Sequence, residues 1–149
     1  MTPYVKTGGL GDVSAALPEA LAKIGVDVHV LLPGYLELSQ LKSRSVATLD
    51  NIPGLPSVKL SEATLANGLH VFIIDYPKLY QRDGGPYQDF SCTDWPDNVI
   101  RFGLLSKVAA ILGSDSSPIS WRPQIVHCND WQTGLAPAYL NFEIGRAHV

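Results

Sequence analysis

The sequence predicts an α/β fold: one domain with a parallel sheet and flanking helices. Two kinds of segment alternate along it. Short runs rich in Val, Ile and Leu occur at 26–32, 69–75 and 123–127. Between them lie longer stretches with apolar residues at helical spacing, at 10–24 and 97–112. Strands that alternate with helices favour parallel pairing, with helices covering the sheet faces. No internal repeat or low-complexity tract interrupts the pattern.

Taken in order, Leu10, Val13, Leu17, Leu21 and Ile24 place one apolar face on the first helix. Asp12 reads as its N-cap or as a first-turn carboxylate. Pro18 removes one helical hydrogen bond, so a kink or a break is expected there. Gly25 is placed to stop the helix. Residues 26–32 then read as a largely buried strand, ended by Pro33-Gly34. Short strands are expected near 46–48 and 58–60, separated by turns at Pro53, Gly54 and Pro56. Residues 69–75 form a strand and 82–87 a loop. Residues 97–112 form a helix with Pro96 at its start and Gly113 at its end. Residues 123–127 read as a short strand. Asn129-Asp130 then leads into a helix over 131–142, interrupted in pattern by Pro137. In sheets of this kind ligands sit beyond the carboxyl ends of strands, where the Asn129-Asp130 loop is expected.

Composition excludes several function classes. The chain has 149 residues and a formal net charge of −3, with no Lys/Arg cluster to track a nucleic-acid backbone. No apolar run reaches the roughly 18 residues of a membrane span. The start, Met1-Thr2-Pro3-Tyr4, lacks the basic flank and apolar core of a signal peptide. Cys92 and Cys128 are far apart and in no metal-type spacing, as expected of reduced thiols in a cytoplasmic protein.

The stretch Lys6-Thr7-Gly8-Gly9-Leu10-Gly11-Asp12-Val13 carries the chemistry. Glycines ahead of a helix let backbone N–H groups approach a ligand, and the helix adds unpaired donors and the positive end of its dipole. That combination binds anions, and Lys6 adds a point charge suited to phosphate. The spacing fits neither common nucleotide fingerprint. The lysine comes before the glycines, and the third glycine of the dinucleotide loop is missing. Asp27, the acid nearest the position that would read a ribose, lies inside the predicted strand. Both facts disfavour an NAD-type oxidoreductase.

The octapeptide resembles the N-terminal signature of bacterial glycogen synthases and plant starch synthases. Two further stretches are similar to the same family. Asp97-Asn98-Val99-Ile100-Arg101-Phe102 resembles a helix start. Trp121 to Pro137 resembles the strand–loop–helix segment that reads His-x-x-Asp-Trp-x-x-Gly, here His127, Asp130, Trp131 and Gly134. Gly85-Pro86-Tyr87 resembles the family's substrate-side tyrosine loop. The resemblance runs in order from Lys6 to about Tyr139.

That resemblance implies a Rossmann-like domain forming the N-terminal half of a GT-B glycosyltransferase. It implies transfer of glucose from ADP-glucose to the non-reducing end of an α-1,4-glucan, with retention and without metal or cofactor. UDP-glucose is the alternative donor. It further implies Lys6, Gly8, Gly9, Asp12 and Tyr87 at the donor and Asp130 as the carboxylate needed for activity. Localisation is expected in the bacterial cytoplasm, or the plastid if the source is a plant. Each residue also has a plainer reading: Lys6 as a solvated lysine, Asp12 and Asp130 as helix caps, Tyr87 as a loop aromatic against Pro86. His127 reads as a satisfied core histidine, Trp121 and Trp131 as packing, Cys128 as a buried thiol.

The chain departs from the family pattern at both ends. Only Met1 to Val5 precede Lys6, where the family has an apolar strand. The family's next strand and its C-terminal domain have no counterpart, and 143–149 show no family-like continuation. A truncated domain, inactive alone, is therefore expected; a non-catalytic fragment that binds nucleotide sugar or glucan is the alternative.

Overall fold

A computed structural model describes residues 8–142; Lys6 and the 143–149 tail lie outside the described residues. The first helix, α1, spans Gly8–Lys23 and continues through Pro18 as one helix. It ends as Gly25 dictates. The Gly25 N–H donates to the Ala22 carbonyl at 3.0 Å and the Val26 N–H to the Leu21 carbonyl at 3.1 Å, with Gly25 at φ +88°. This is the paired closure that a left-handed residue just past a helix permits. Asp12 sits in the second turn and no acid occupies the first, so it is not the cap expected of it.

Among the described residues four strands form one sheet: β1 (His29–Pro33), β2 (Ser43–Leu49), β3 (Val58–Thr64) and β4 (His70–Asp75), in the order β1-β4-β3-β2. The α/β class is as expected, but the pairing is mixed. Only β1 and β4 run parallel; β3 is antiparallel to both β4 and β2. Connection length is the reason. The links at 50–57 and 65–69 are too short for the crossover that parallel neighbours require, which takes a dozen residues or more. β1 is half-buried rather than largely buried.

Alternation along β4 divides the core. Val71 and Ile73 join Leu38, Ala63, Leu65 and Leu69, with Ala15 of α1 packed against them. Phe72 and Ile74 face the other way, toward Leu60, Phe102, Leu105 and Val108. Phe102, Leu105 and Val108 belong to α3 (Asn98–Leu112), so α1 and α3 cover opposite faces. Every residue of α3 from 101 to 108 is buried. The helix is enclosed because its outer side is covered in turn by the 3₁₀ turn Trp131–Thr133 and the last helix. Val99, an apolar residue in its first turn, is 83% exposed.

The predicted strand at 123–127 does not form. A strand needs a ladder partner, and none of the described residues pairs with this stretch. It is held by side chains instead. Trp121 stacks on His29 with ring centroids 4.1 Å apart and donates its indole N–H to Asp27 at 2.8 Å. Val126 lies so close to Gly113 that a Cβ there would meet its Cγ2 at 2.6 Å. Asp27 precedes β1 rather than lying within it. The helix expected at 131–142 is two pieces, the 3₁₀ turn and a helix at Ala136–Phe142, with Pro137 harmlessly in its first turn.

Candidate active site

Between β4 and α3 the chain makes a four-residue helix, α2 (Pro77–Tyr80), and then a long loop; the last helix, Ala136–Phe142, is thus α4. The loop would wander without ties, and polar groups supply them. Arg82 grips Asp97 through both Nη atoms, at 2.8 and 2.5 Å, and this guanidinium holds the Asp97 carboxyl below the ordinary carboxylate range. Gly84 takes φ +136° where a Cβ would strike the Gln88 carbonyl at 2.8 Å, so only glycine makes this bend.

Arg101 ties the loop from beneath. Its side chain, 1% exposed, donates from Nε to the Leu79 carbonyl at 2.9 Å and from Nη1 to the Pro86 carbonyl and to Asn98 Oδ1, each at 2.7 Å. Burial pushes its pKa down, and the carbonyl dipoles answer the charge. Asn98 also donates to the Tyr87 carbonyl at 2.9 Å, as the Trp95 N–H does. Tyr87 is thereby fixed at the N-terminal end of α3.

The segment 127–133 arrives beside it. Asp130 adopts φ +61°, ψ −176°, a region that side chains other than glycine's find strained. Its Oδ1 accepts the Trp131 N–H at 2.7 Å, so the cap reading holds for the 3₁₀ turn, while the carboxylate remains exposed. Trp131 is 60% exposed, set edge-on to Phe102 at 4.9 Å and tilted to Tyr87 at 5.8 Å. Gln132 turns inward, and its Nε2 lies 2.5 Å from the Tyr87 hydroxyl. Tyr87 and Asp130, 43 positions apart by their numbers, thus stand on adjoining segments. His127 is exposed, with Nε2 3.2 Å from Asn129 Oδ1, and is not the core histidine expected. Burial pushes the Cys128 thiol up, opposed by a bond to Thr133, so its thiolate is disfavoured. Among the described residues no three His, Cys, Asp or Glu side chains gather as metal ligands.

The glycines stand apart from this pair. Gly8 opens α1 at φ +50°, and a Cβ built on Gly8 or on Gly9 would meet nothing within 4 Å. Among the described residues nothing crowds the helix N-terminus, as an anion site requires. Asp12 is exposed one turn on. Because α1 leads directly into the start of β1, its N-terminus lies toward the carboxyl end of the parallel pair, the end from which the Tyr87 loop also departs. Among the described residues no hydrogen bond joins Gly8 or Gly9 to Tyr87 or Asp130. Asp27 is engaged with Trp121 and His29 at the opposite end of β1.

Sequence reasoning missed Arg101 and Gln132. Arg101 left a signal, a lone arginine in an otherwise apolar helical stretch. Gln132 left none.

The family model described as the starch synthase catalytic domain matches residues 1–148. The chain belongs to the starch synthase catalytic-domain family. It is 54% identical over 149 residues to the glycogen synthase of Nitrosospira multiformis, covering 96% of this chain and 30% of that protein. It is 55% identical to the glycogen synthase of Dechloromonas aromatica, covering all of this chain and 31% of the relative. It is 56% identical to that of Aromatoleum aromaticum, at 93% and 28%. The chain thus spans about 30% of the length of these starch synthase-family relatives. No described helix is long and apolar enough to cross a membrane.

Proposed function

We propose that this chain forms the N-terminal part of the catalytic domain of a glycogen-synthesising glucosyltransferase. The reaction moves glucose from ADP-glucose to the non-reducing end of an α-1,4-glucan with retention. The activity belongs to the full length over which the relatives extend, in the bacterial cytoplasm. The observation that carries this reading is the match of the whole chain to glycogen synthases. The strained, exposed Asp130 beside the fixed Tyr87 supports it.

The residues suit the chemistry. Breaking the donor bond leaves charge on a diphosphate. The α1 N-terminus, uncrowded at Gly8 and Gly9 among the described residues, offers N–H groups and a dipole to that charge, and Lys6 a cation. The glucosyl carbon becomes positive as the bond lengthens. An Asp130 carboxylate nearby stabilises it electrostatically or orients a sugar hydroxyl. Asp12 and Tyr87 complete the donor contacts with hydrogen bonds.

Incorporation of labelled glucose into glycogen by the full-length gene product, from ADP-glucose and from UDP-glucose, tests this. Transfer from ADP-glucose supports the reading. Nucleotide-sugar binding without transfer identifies a binding module instead. Lys6→Gln is expected to raise KM for the donor and lower kcat together; unchanged constants remove Lys6 from the site.

A further inference from the structure

The direction of one hydrogen bond decides what Tyr87 can do. Gln132 Nε2 donates to the Tyr87 phenol oxygen at 2.5 Å. A phenol that accepts there keeps its own O–H for another acceptor. The amide is well placed to impose this. Gln132 is 6% exposed, and its backbone carbonyl accepts the Ser106 hydroxyl at 3.2 Å, which anchors the residue to α3. The Tyr87 ring stands against Phe102 at 5.7 Å and Trp131 at 5.8 Å, so its position is set by packing and only its proton is left to orient. Gln132 Oε1 is buried with no hydrogen-bond partner among the described residues. An unmade bond of that kind weakens the fold. The bond to Tyr87 is thus the side-chain hydrogen bond that this amide makes among the described residues, and it is the one that directs the phenol.

We propose that Gln132 is a positioning residue for Tyr87, turning the phenolic O–H outward to donate to an oxygen of the bound sugar nucleotide. The assignment rests on the function proposed above. It explains why an amide suits the place. A carboxylate accepts only and draws the phenolic proton inward, and an apolar side chain leaves the hydroxyl free to rotate.

A double-mutant cycle on the full-length gene product separates this from a packing role. The variants are Gln132→Met, Tyr87→Phe and the pair, with kcat and KM for ADP-glucose and thermal unfolding measured on each. Each single change is expected to lower kcat/KM about five- to tenfold, the scale of one hydrogen bond. Gln132→Met added to Tyr87→Phe is expected to cost less than about twofold more, because residues acting through one bond are not additive. Gln132→Glu keeps the shape and reverses the bond; it is expected to lose activity like Gln132→Met, and it replaces that variant in the cycle if the latter does not fold. Equal losses from the Gln132 change with and without the Tyr87 hydroxyl, in step with lowered melting temperature, overturn the assignment. A wild type that transfers no glucose overturns the proposed function and this assignment with it. Wild-type transfer with additive variants overturns the assignment alone.

Discussion

Arg101 reaches from inside α3 to the carbonyl of Pro86, 2.7 Å away, and so determines where Tyr87 stands. A charged group is seldom buried this completely. Here it serves three acceptors on three segments, Leu79, Pro86 and Asn98. Replacing Arg101 with methionine keeps much of the volume and strands all three. We expect a loss of about 3 kcal/mol in unfolding free energy, from one buried carbonyl, one part-buried carbonyl and the Asn98 amide oxygen left unpaired. Lysine should recover little, because one ammonium cannot reproduce the planar fork. Urea unfolding of both variants checks this, and a cost near zero would mean that the loop is held by other ties.

His29 should make stability depend on pH. Its ring is covered by Trp121 and stacked on His70 at 4.8 Å, with Asp27 and Glu62 facing it. Burial, the largest influence, and the neighbouring His70 hold its pKa below the ordinary 6.5, against the pull of the two carboxylates. The folded state therefore takes up its proton at lower pH than the unfolded state. Stability is full above about 6.5 and falls as pH drops toward the folded-state value. Replacing His29 with phenylalanine should flatten this part of the profile. Unfolding midpoints from pH 7.5 down to 5 in wild type and variant measure it; parallel profiles would acquit His29.

The two thiols should differ in reactivity. Cys92 is exposed, whereas Cys128 is half-buried with its pKa raised by burial. Iodoacetamide at neutral pH should therefore alkylate Cys92 first. Peptide mass spectrometry over a time course reads the order, and earlier labelling of Cys128 would point to an activated thiolate beside Asp130.

Most of the fold was legible in the sequence, and the failures share a cause. Periodicity located α1, β4 and α3, but not their faces: Val13 and Ile24, read on the apolar face of α1, are 53% and 76% exposed, and α3 is buried on every side from 101 to 108. Gly25 announced its own stop through the conformation that only glycine takes easily. Pairing was read as parallel, although the short links at 50–57 and 65–69 dictate antiparallel neighbours there. The stretch 123–127 looks like a strand in composition, but strand formation depends on a partner that local pattern does not reveal. The site divided similarly. Asp130 and Tyr87 were named from motif resemblance, yet their proximity comes from the packing of Trp131 and Gln132 on α3. Lys6 lies outside the described residues, so its place is a matter for experiment.

Strain at Asp130 gives a test of whether the site is kept for function. Glycine accepts φ +61°, ψ −176° freely, and losing the cap to glycine costs only a few tenths of a kcal/mol. Relief of about 1 kcal/mol or more should exceed that loss. Asp130→Gly is therefore expected to unfold at a higher temperature than wild type. A fall in melting temperature would show the aspartate to be chiefly structural.

The charge of Asp130 is the centre of the proposed active site. Asp130→Asn preserves shape and cap and leaves the backbone equally strained while removing only the negative charge. The decisive quantity is kcat for glucose transfer from ADP-glucose to glycogen by the full-length gene product carrying this change. We expect a fall of at least about a hundredfold, the scale seen when a group stabilising developing charge is lost, with the melting temperature within a few degrees of wild type. A variant that folds normally and keeps kcat within about twofold would remove Asp130 from the chemistry, since two-fold is under about 0.5 kcal/mol of barrier, and would contradict the active site described here.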